Sequence, residues 1–169
     1  MEQKILTEKT ISVVVDNTTG VLARVSNLFS RRGYNIESLA VGITEDPALS
    51  RITLIVRCDS RMLEQICAQL EKLVCVHKVK VLSDSSKVMR ELVMIKVSAP
   101  PAKRSEIIEI ANIFRARVID LTPTTLTLEV TGEDGKTTAL LDMIRDYGII
   151  ELARTGLVAL DRGSSNINE

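Results

Sequence analysis

Between Thr10 and Asp16 the apolar residues Ile11, Val13 and Val15 fall on alternate positions, the period of a half-buried strand. After Gly20 the period changes. Val21, Leu22, Val25, Leu28 and Phe29 recur at helical spacing, and Gly33 is placed to stop that helix. Tyr34 to Thr44 reads as a second strand, and the turn Glu45-Asp46-Pro47 leads into a third, Ser50 to Cys58, so the two should form a hairpin. Asp59 or Ser60 can cap a helix carrying Leu63, Ile66, Cys67, Leu70, Leu73 and Val74, and Val76 to Leu82 closes the unit as a strand.

The polar run Ser83-Asp84-Ser85-Ser86-Lys87 has linker composition, and beyond it the same order returns. A strand is expected over Glu91 to Ser98, a helix after Pro100-Pro101, strands near Arg117 to Leu121 and Thr125 to Thr131, a helix with Leu140, Leu141, Ile144 and Tyr147, and a last strand over Ile149 to Leu160. Each half is therefore βαββαβ, which makes an antiparallel sheet with both helices on one face. The pattern predicts an α+β chain of two tandem ferredoxin-like domains, residues 1–83 and 84–169. Strands two and four of such a sheet are edges, and an apolar exposed edge invites pairing with a second copy.

Composition removes several classes of function. Lysines and arginines number 22, as do the acidic residues, so no global field draws the chain to nucleic acid or to an anionic membrane. RNA-binding members of this fold class stack bases on sheet aromatics, but here there are two Phe, two Tyr and no Trp, and Phe29 and Phe114 fall on core stripes. No apolar run is long enough for a membrane span or a secretory signal, which makes the cytoplasm the expected location. Cys58, Cys67 and Cys75 lack metal-site or disulfide spacing and are expected to be reduced. His77 is the only histidine, lies in an apolar run without a nucleophile signature, and is expected at a surface or edge position on the fourth strand. No Gly-rich phosphate loop with its lysine is present. Nothing here has the arrangement of a catalytic centre or a metal site.

The turn Asp16-Asn17-Thr18-Thr19-Gly20 joins the first strand to the first helix, where backbone N–H groups at a helix start can receive an anion. Gly20 lacks a β-carbon and permits close approach, while Asn17 offers a donor and an acceptor. A small zwitterion needs both. The same residues also fit a plain helix start capped by Thr18 or Thr19. The matching turn of the second half, Ser98-Ala99-Pro100-Pro101, has no glycine and two residues without N–H groups, which sets the first turn apart as a candidate site.

These residues resemble the ACT domain, a ferredoxin-like module that binds amino acids. The stretches Asn17 to Val25, Leu28 to Leu39 and Asp46 to Arg51, with Glu109 to Arg115, Val118 to Pro123 and Glu151 to Gly156, are similar to the small regulatory subunits of acetohydroxyacid synthase, also called acetolactate synthase. The resemblance covers nearly the whole chain. It implies an ACT domain followed by an ACT-like domain, with no activity of the chain's own. It further implies a partner, the large catalytic subunit with thiamine diphosphate, magnesium and FAD, and no cofactor in this chain. Feedback inhibition by valine or a related branched-chain amino acid follows from the same resemblance. The effector is expected between two copies, at Asn17, Gly20, Val21 and Leu22 of one and Asn35 and Ile36 of the other. The second domain is expected to help activate the catalytic subunit. An N-terminal extension, Gly42 and the cysteines depart from the family pattern. The alternative is an ACT-domain sensor controlling a different enzyme or a transcription regulator.

Overall fold

The computed structural model describes residues 6–167. Along the chain lie β1 (Thr7–Asp16), α1 (Val21–Arg32), β2 (Ile36–Ile43), β3 (Leu49–Cys58), α2 (Ser60–Leu70), β4 (Val76–Leu82) and β5 (Lys87–Ser98). They are followed by α3 (Pro101–Ile113), β6 (Arg117–Leu121), β7 (Thr125–Gly132), α4 (Asp134–Ile144), a 3-10 turn (Arg145–Tyr147), β8 (Ile149–Arg154) and β9 (Val158–Asp161). The βαββαβ order thus occurs twice, with β9 in addition. Among the described residues no helix is long and apolar enough to cross a membrane.

The chain forms two compact units: residues up to Val88 together with those from Leu157, and Met89–Gly156. In the first, the antiparallel sheet runs β2-β3-β1-β4, so β2 and β4 are its edges. Ile11, Val13 and Val15 of β1 meet Ile52, Leu54 and Val56 of β3 and the buried stripe Val21, Val25 and Phe29 of α1. Phe29 packs edge-on against Tyr34, and Asp59 caps α2 by accepting from the Met62 N–H at 2.7 Å. Gly33 ends α1 in the left-handed conformation, φ +66°, as its place in the sequence anticipates.

In the second unit the sheet path is β6-β7-β5-β8, over a core that includes Val93, Ile95, Ile107, Leu126, Leu128 and Leu140. β9 pairs with β5 off this path, and the first two residues of β5, Lys87 and Val88, belong to the first unit. Glu91 is buried at the end of the core, where it accepts from Arg154 at 3.0 Å and from the Thr137 hydroxyl. A buried carboxylate needs such partners.

Two boundaries differ from the sequence reading. The strand expected over Ile149 to Leu160 is broken after Arg154: Thr155 still bonds to Leu92, but Gly156 at φ +82° turns the chain. Residues from Leu157 therefore pack with the first unit, although the expected domain division places them in the second. The expected linker also shrinks to a turn. Ser86 N–H bonds to Ser83 O at 3.2 Å, and Lys87 already belongs to β5 with its ammonium on Thr10 Oγ1 at 2.8 Å and Asp84 Oδ1 at 2.5 Å.

The returning segment lies on the face of the first sheet that the helices leave bare. Thr10, Ser12, Val14, Thr53 and Ile55 on that face are all buried. Leu157 N–H donates to Ser38 Oγ at 3.0 Å on β2, and Asp161 pairs with Lys80 at 3.0 Å on β4, so the segment spans the sheet from edge to edge. Its Leu157, Ala159 and Ile167 are buried. The expected strand start at Thr10 moves back to Thr7, and residues 1–5 of the N-terminal extension lie outside the described residues.

Candidate functional site

Asp16 ends β1 with its N–H on Cys75 O at 2.9 Å, and Asn17 follows with its N–H on Ala48 O at 2.7 Å. The Asn17 side chain then reaches the β2–β3 hairpin: its amide nitrogen donates to Pro47 O at 2.9 Å and its oxygen accepts from Ser50 Oγ at 3.1 Å. Asn17 thus braces one loop against another. An amide has two N–H groups and two lone pairs, so one of each remains beyond this brace.

Gly20 sits at φ +84°, ψ −3°, a left-handed conformation that β-carbon-bearing residues adopt at a cost. Gly20 is itself the cap residue of α1 and has no side chain to bond the helix start, so the threonine-capped reading of this turn does not hold. The first turn of α1 contains no acidic residue either. Val21 N–H reaches only Thr18 O, at 3.4 Å, and the first regular helical bond is Arg24 N–H to Gly20 O at 3.0 Å. The N–H groups of Leu22 and Ala23 precede it, so the positive end of the helix dipole faces outward without compensation.

The six expected site residues fall into two groups. Val21 is 4% exposed and gives its side chain to the core, so only its backbone faces the turn, whereas Leu22 is 43% exposed beside it. Asn35 and Ile36 lie past the other end of α1, with Asn35 donating to Glu37 at 2.8 Å and half-buried Ile36 paired with Val56. Since α1 has 12 residues, roughly 18 Å separates the two groups. Within one chain they are not brought together.

His77 on edge strand β4 is exposed, as expected, and has a partner not anticipated from its apolar run: Nε2 lies 2.6 Å from Asp16 Oδ1, the first residue of the turn. Cys58 and Cys75 are buried and Cys67 half-buried, all as free thiols. Burial pushes the Cys58 and Cys67 thiols up from their ordinary values, which suits inert core thiols. Among the described residues no group of His, Cys, Asp and Glu is arranged to hold a metal.

The second unit fills the matching place. α3 begins at Pro101 behind Pro100, again without a side-chain cap, and the Arg104 guanidinium donates to Ala99 O at 3.4 Å, Thr122 O at 3.1 Å and Pro123 O at 2.7 Å. An arginine of the chain itself thus ties this turn to its hairpin, as Asn17 does in the first unit.

Two family models match successive parts of the chain. A family model described as an AHAS small subunit-like ACT domain matches residues 11–78, and one described as the small subunit of acetolactate synthase matches residues 90–163. The probable acetolactate synthase small subunit of Archaeoglobus fulgidus is 54% identical over 155 residues, 92% of this chain and 97% of that protein. The chain belongs to the acetolactate synthase small-subunit family. The acetolactate synthase small subunit of Mycobacterium bovis is 51% identical over 158 residues, 94% of each protein. A crystal structure of the Thermotoga maritima small subunit superposes with a TM-score of 0.88 at 38% identity, over 94% of this chain and 99% of that one. Membership gives the chain a regulatory role in branched-chain amino acid biosynthesis. All six candidate residues lie within the ACT match, whereas the other match runs past Gly156 into β9.

Proposed function

We propose that this chain is the cytoplasmic regulatory subunit that raises the activity of a large catalytic acetolactate synthase subunit and makes it sensitive to valine. The observation that carries the effector site is the uncapped start of α1 at Gly20. Valine's carboxylate is received by the N–H groups around Gly20, and its ammonium by carbonyl and amide acceptors. With roughly 18 Å between the turn and Asn35, a second copy supplies Asn35 and Ile36 in this reading. Edge strand β2, with Val41 and Ile43 exposed, favours such pairing. Thiamine diphosphate, magnesium and FAD belong to the catalytic partner in this reading.

Valine has about eight heavy atoms, which at roughly 0.3 to 1.5 kcal/mol each allows micromolar to millimolar affinity, the range of a metabolite sensor. Discrimination among valine, leucine and isoleucine rests on a methylene or a branch, about 1 to 3 kcal/mol. The test is to mix the chain with the catalytic subunit and follow acetolactate formation with and without valine. Activation that valine reverses is the expected outcome. An unchanged rate on adding the chain refutes the regulatory assignment, and activation indifferent to valine refutes the effector site alone.

A further inference from the structure

Outside the effector turn, the strongest unassigned feature is a groove of about 370 Å³ between α1 and the end of α2. Leu28 and Leu73 lie among its lining residues, with Arg24, Arg31, Arg32 and Lys72, and no carboxylate lines it. Among the described residues none of these four cations belongs to an ion pair. In a chain whose charges balance, this is a local concentration of positive charge.

Helix chemistry explains only part of it. Arg31 and Arg32 close the last turn of α1, where the dipole favours cations. Arg24 lies at the opposite end, where the dipole disfavours them, so its placement calls for another cause. The helices run antiparallel, and the bond from Asp16 N–H to Cys75 O puts the chain after α2 beside the start of α1. Arg24 and Lys72 therefore mark one end of the groove, while Arg31 and Arg32 mark the other. The separation along α1 is about 10 to 12 Å. One phosphate group reaches a single end, whereas two acidic side chains three residues apart on an extended segment, or seven apart on a helix, reach both. Three of the four cations are arginines, whose planar forks match carboxylates.

We propose that this groove docks an acidic segment of the catalytic subunit. The proposal rests on the partner assigned above, and it is tested by association, a readout separate from activation and from valine inhibition. Arg24→Glu and Arg31→Glu should each weaken binding of the full chain to the catalytic subunit by roughly tenfold at low salt, with the gap narrowing as salt rises. The control Arg61→Glu, at the start of α2 and outside the groove, should stay within about twofold, the level expected away from a charged interface. Arg24→Gln and Arg31→Gln, checked by thermal melting, provide folded variants should the reversals fail to fold, and the same order of effects is expected of them. Groove variants that bind the catalytic subunit as Arg61→Glu does would overturn the proposal. So would tight binding of inorganic tripolyphosphate to the isolated chain that the same substitutions abolish, since the groove would then belong to a small anion.

Discussion

At the first β–α turn the backbone passes through left-handed Gly20 into a helix without a cap, and at the matching turn of the second unit Pro100 and Pro101 lead into α3 with the Arg104 guanidinium across three carbonyls. Both turns are tied to the neighbouring hairpin, one by an asparagine amide and the other by an arginine. Asparagine keeps a donor and an acceptor in reserve, while arginine brings only donors and a fixed charge. The fold therefore needs a brace at this place but not a particular one, and the first unit uses the brace that leaves the helix start open. The sheet faces differ as well. The helix-free face of the first sheet is buried beneath residues 157–167, whereas that of the second is polar and open, with Lys96 and Glu151 paired at 3.6 Å.

The largest expected effect breaks the contrast between the two sheet faces. Ending the chain at Gly156 removes buried Leu157 and Ile167 and the Asp161 partner of Lys80. At about 1.5 to 3 kcal/mol for each large side chain, the first unit should lose roughly 3 to 6 kcal/mol. Chemical denaturation should resolve this, and unchanged stability would mean that the segment adds nothing to the first core. A fragment ending at Ser83 lacks the same cover and is expected to expose this face and self-associate. Next in size is Gly20→Asp, which puts an L-residue at φ +84° and a carboxylate beside the effector's own. Valine inhibition should disappear from the reconstituted enzyme while association with the catalytic subunit remains; inhibition that persists removes the turn from the site.

Arg104→Ala sharpens the comparison from the other side. It leaves Ala99, Thr122 and Pro123 carbonyls without their charged donor, at an expected cost of about 2 to 3 kcal/mol in unfolding, with valine affinity unchanged. A shift in valine affinity instead would place an effector site in the second unit.

What could be read from the sequence follows from where the physics is local. Alternation in Ile11, Val13 and Val15 and helical spacing in Val25 and Phe29 report burial directly, so β4 and β6 were found at their observed limits and most other strands within a few residues. Gly20 and Gly33 announced their turns because few other residues adopt positive φ readily. The bond from Asn17 to Pro47 and the reach of Arg104 to Pro123 left no such mark, since they join positions 30 and 19 residues apart through polar side chains that surface helices and loops also carry. Leu157 to Leu160 form a continuous apolar run, and nothing in that run says which sheet they serve. Separating Asn35 from Gly20 required knowing only the length of α1, which the sequence did provide.

Asn17→Ala tests the brace of the first unit against that of the second. Two neutral hydrogen bonds are lost, about 1 to 2 kcal/mol of stability, less than for Arg104→Ala. Valine binding measured by calorimetry should weaken as well, because the turn loses its hold on the hairpin. Weakened stability with normal valine affinity would leave Asn17 with the structural part alone.

The smallest effect concerns the turn that follows β4 in the first unit. Asp84 is 65% exposed, yet the hydrogen bond from Lys87, followed by the ammonium's charge, holds its carboxyl below the ordinary value. Lys87, its side chain 9% exposed, carries the contact on to Thr10 in β1. A carboxyl with a lowered folded pKa contributes stability above its unfolded value, near 4, and loses that contribution as pH falls through the folded one. Asp84→Asn should therefore cost at most about 1 kcal/mol at neutral pH, since so exposed a carboxylate is screened by solvent. The difference from the parent chain should shrink below about pH 4 and close once pH has fallen through the lowered folded pKa, because protonation then removes from the parent the charge that the variant already lacks. A difference that persisted in acid would mean that Asp84 acts through its shape or its neutral hydrogen bonds, and that Lys87 is held to the first unit by Thr10 without electrostatic help.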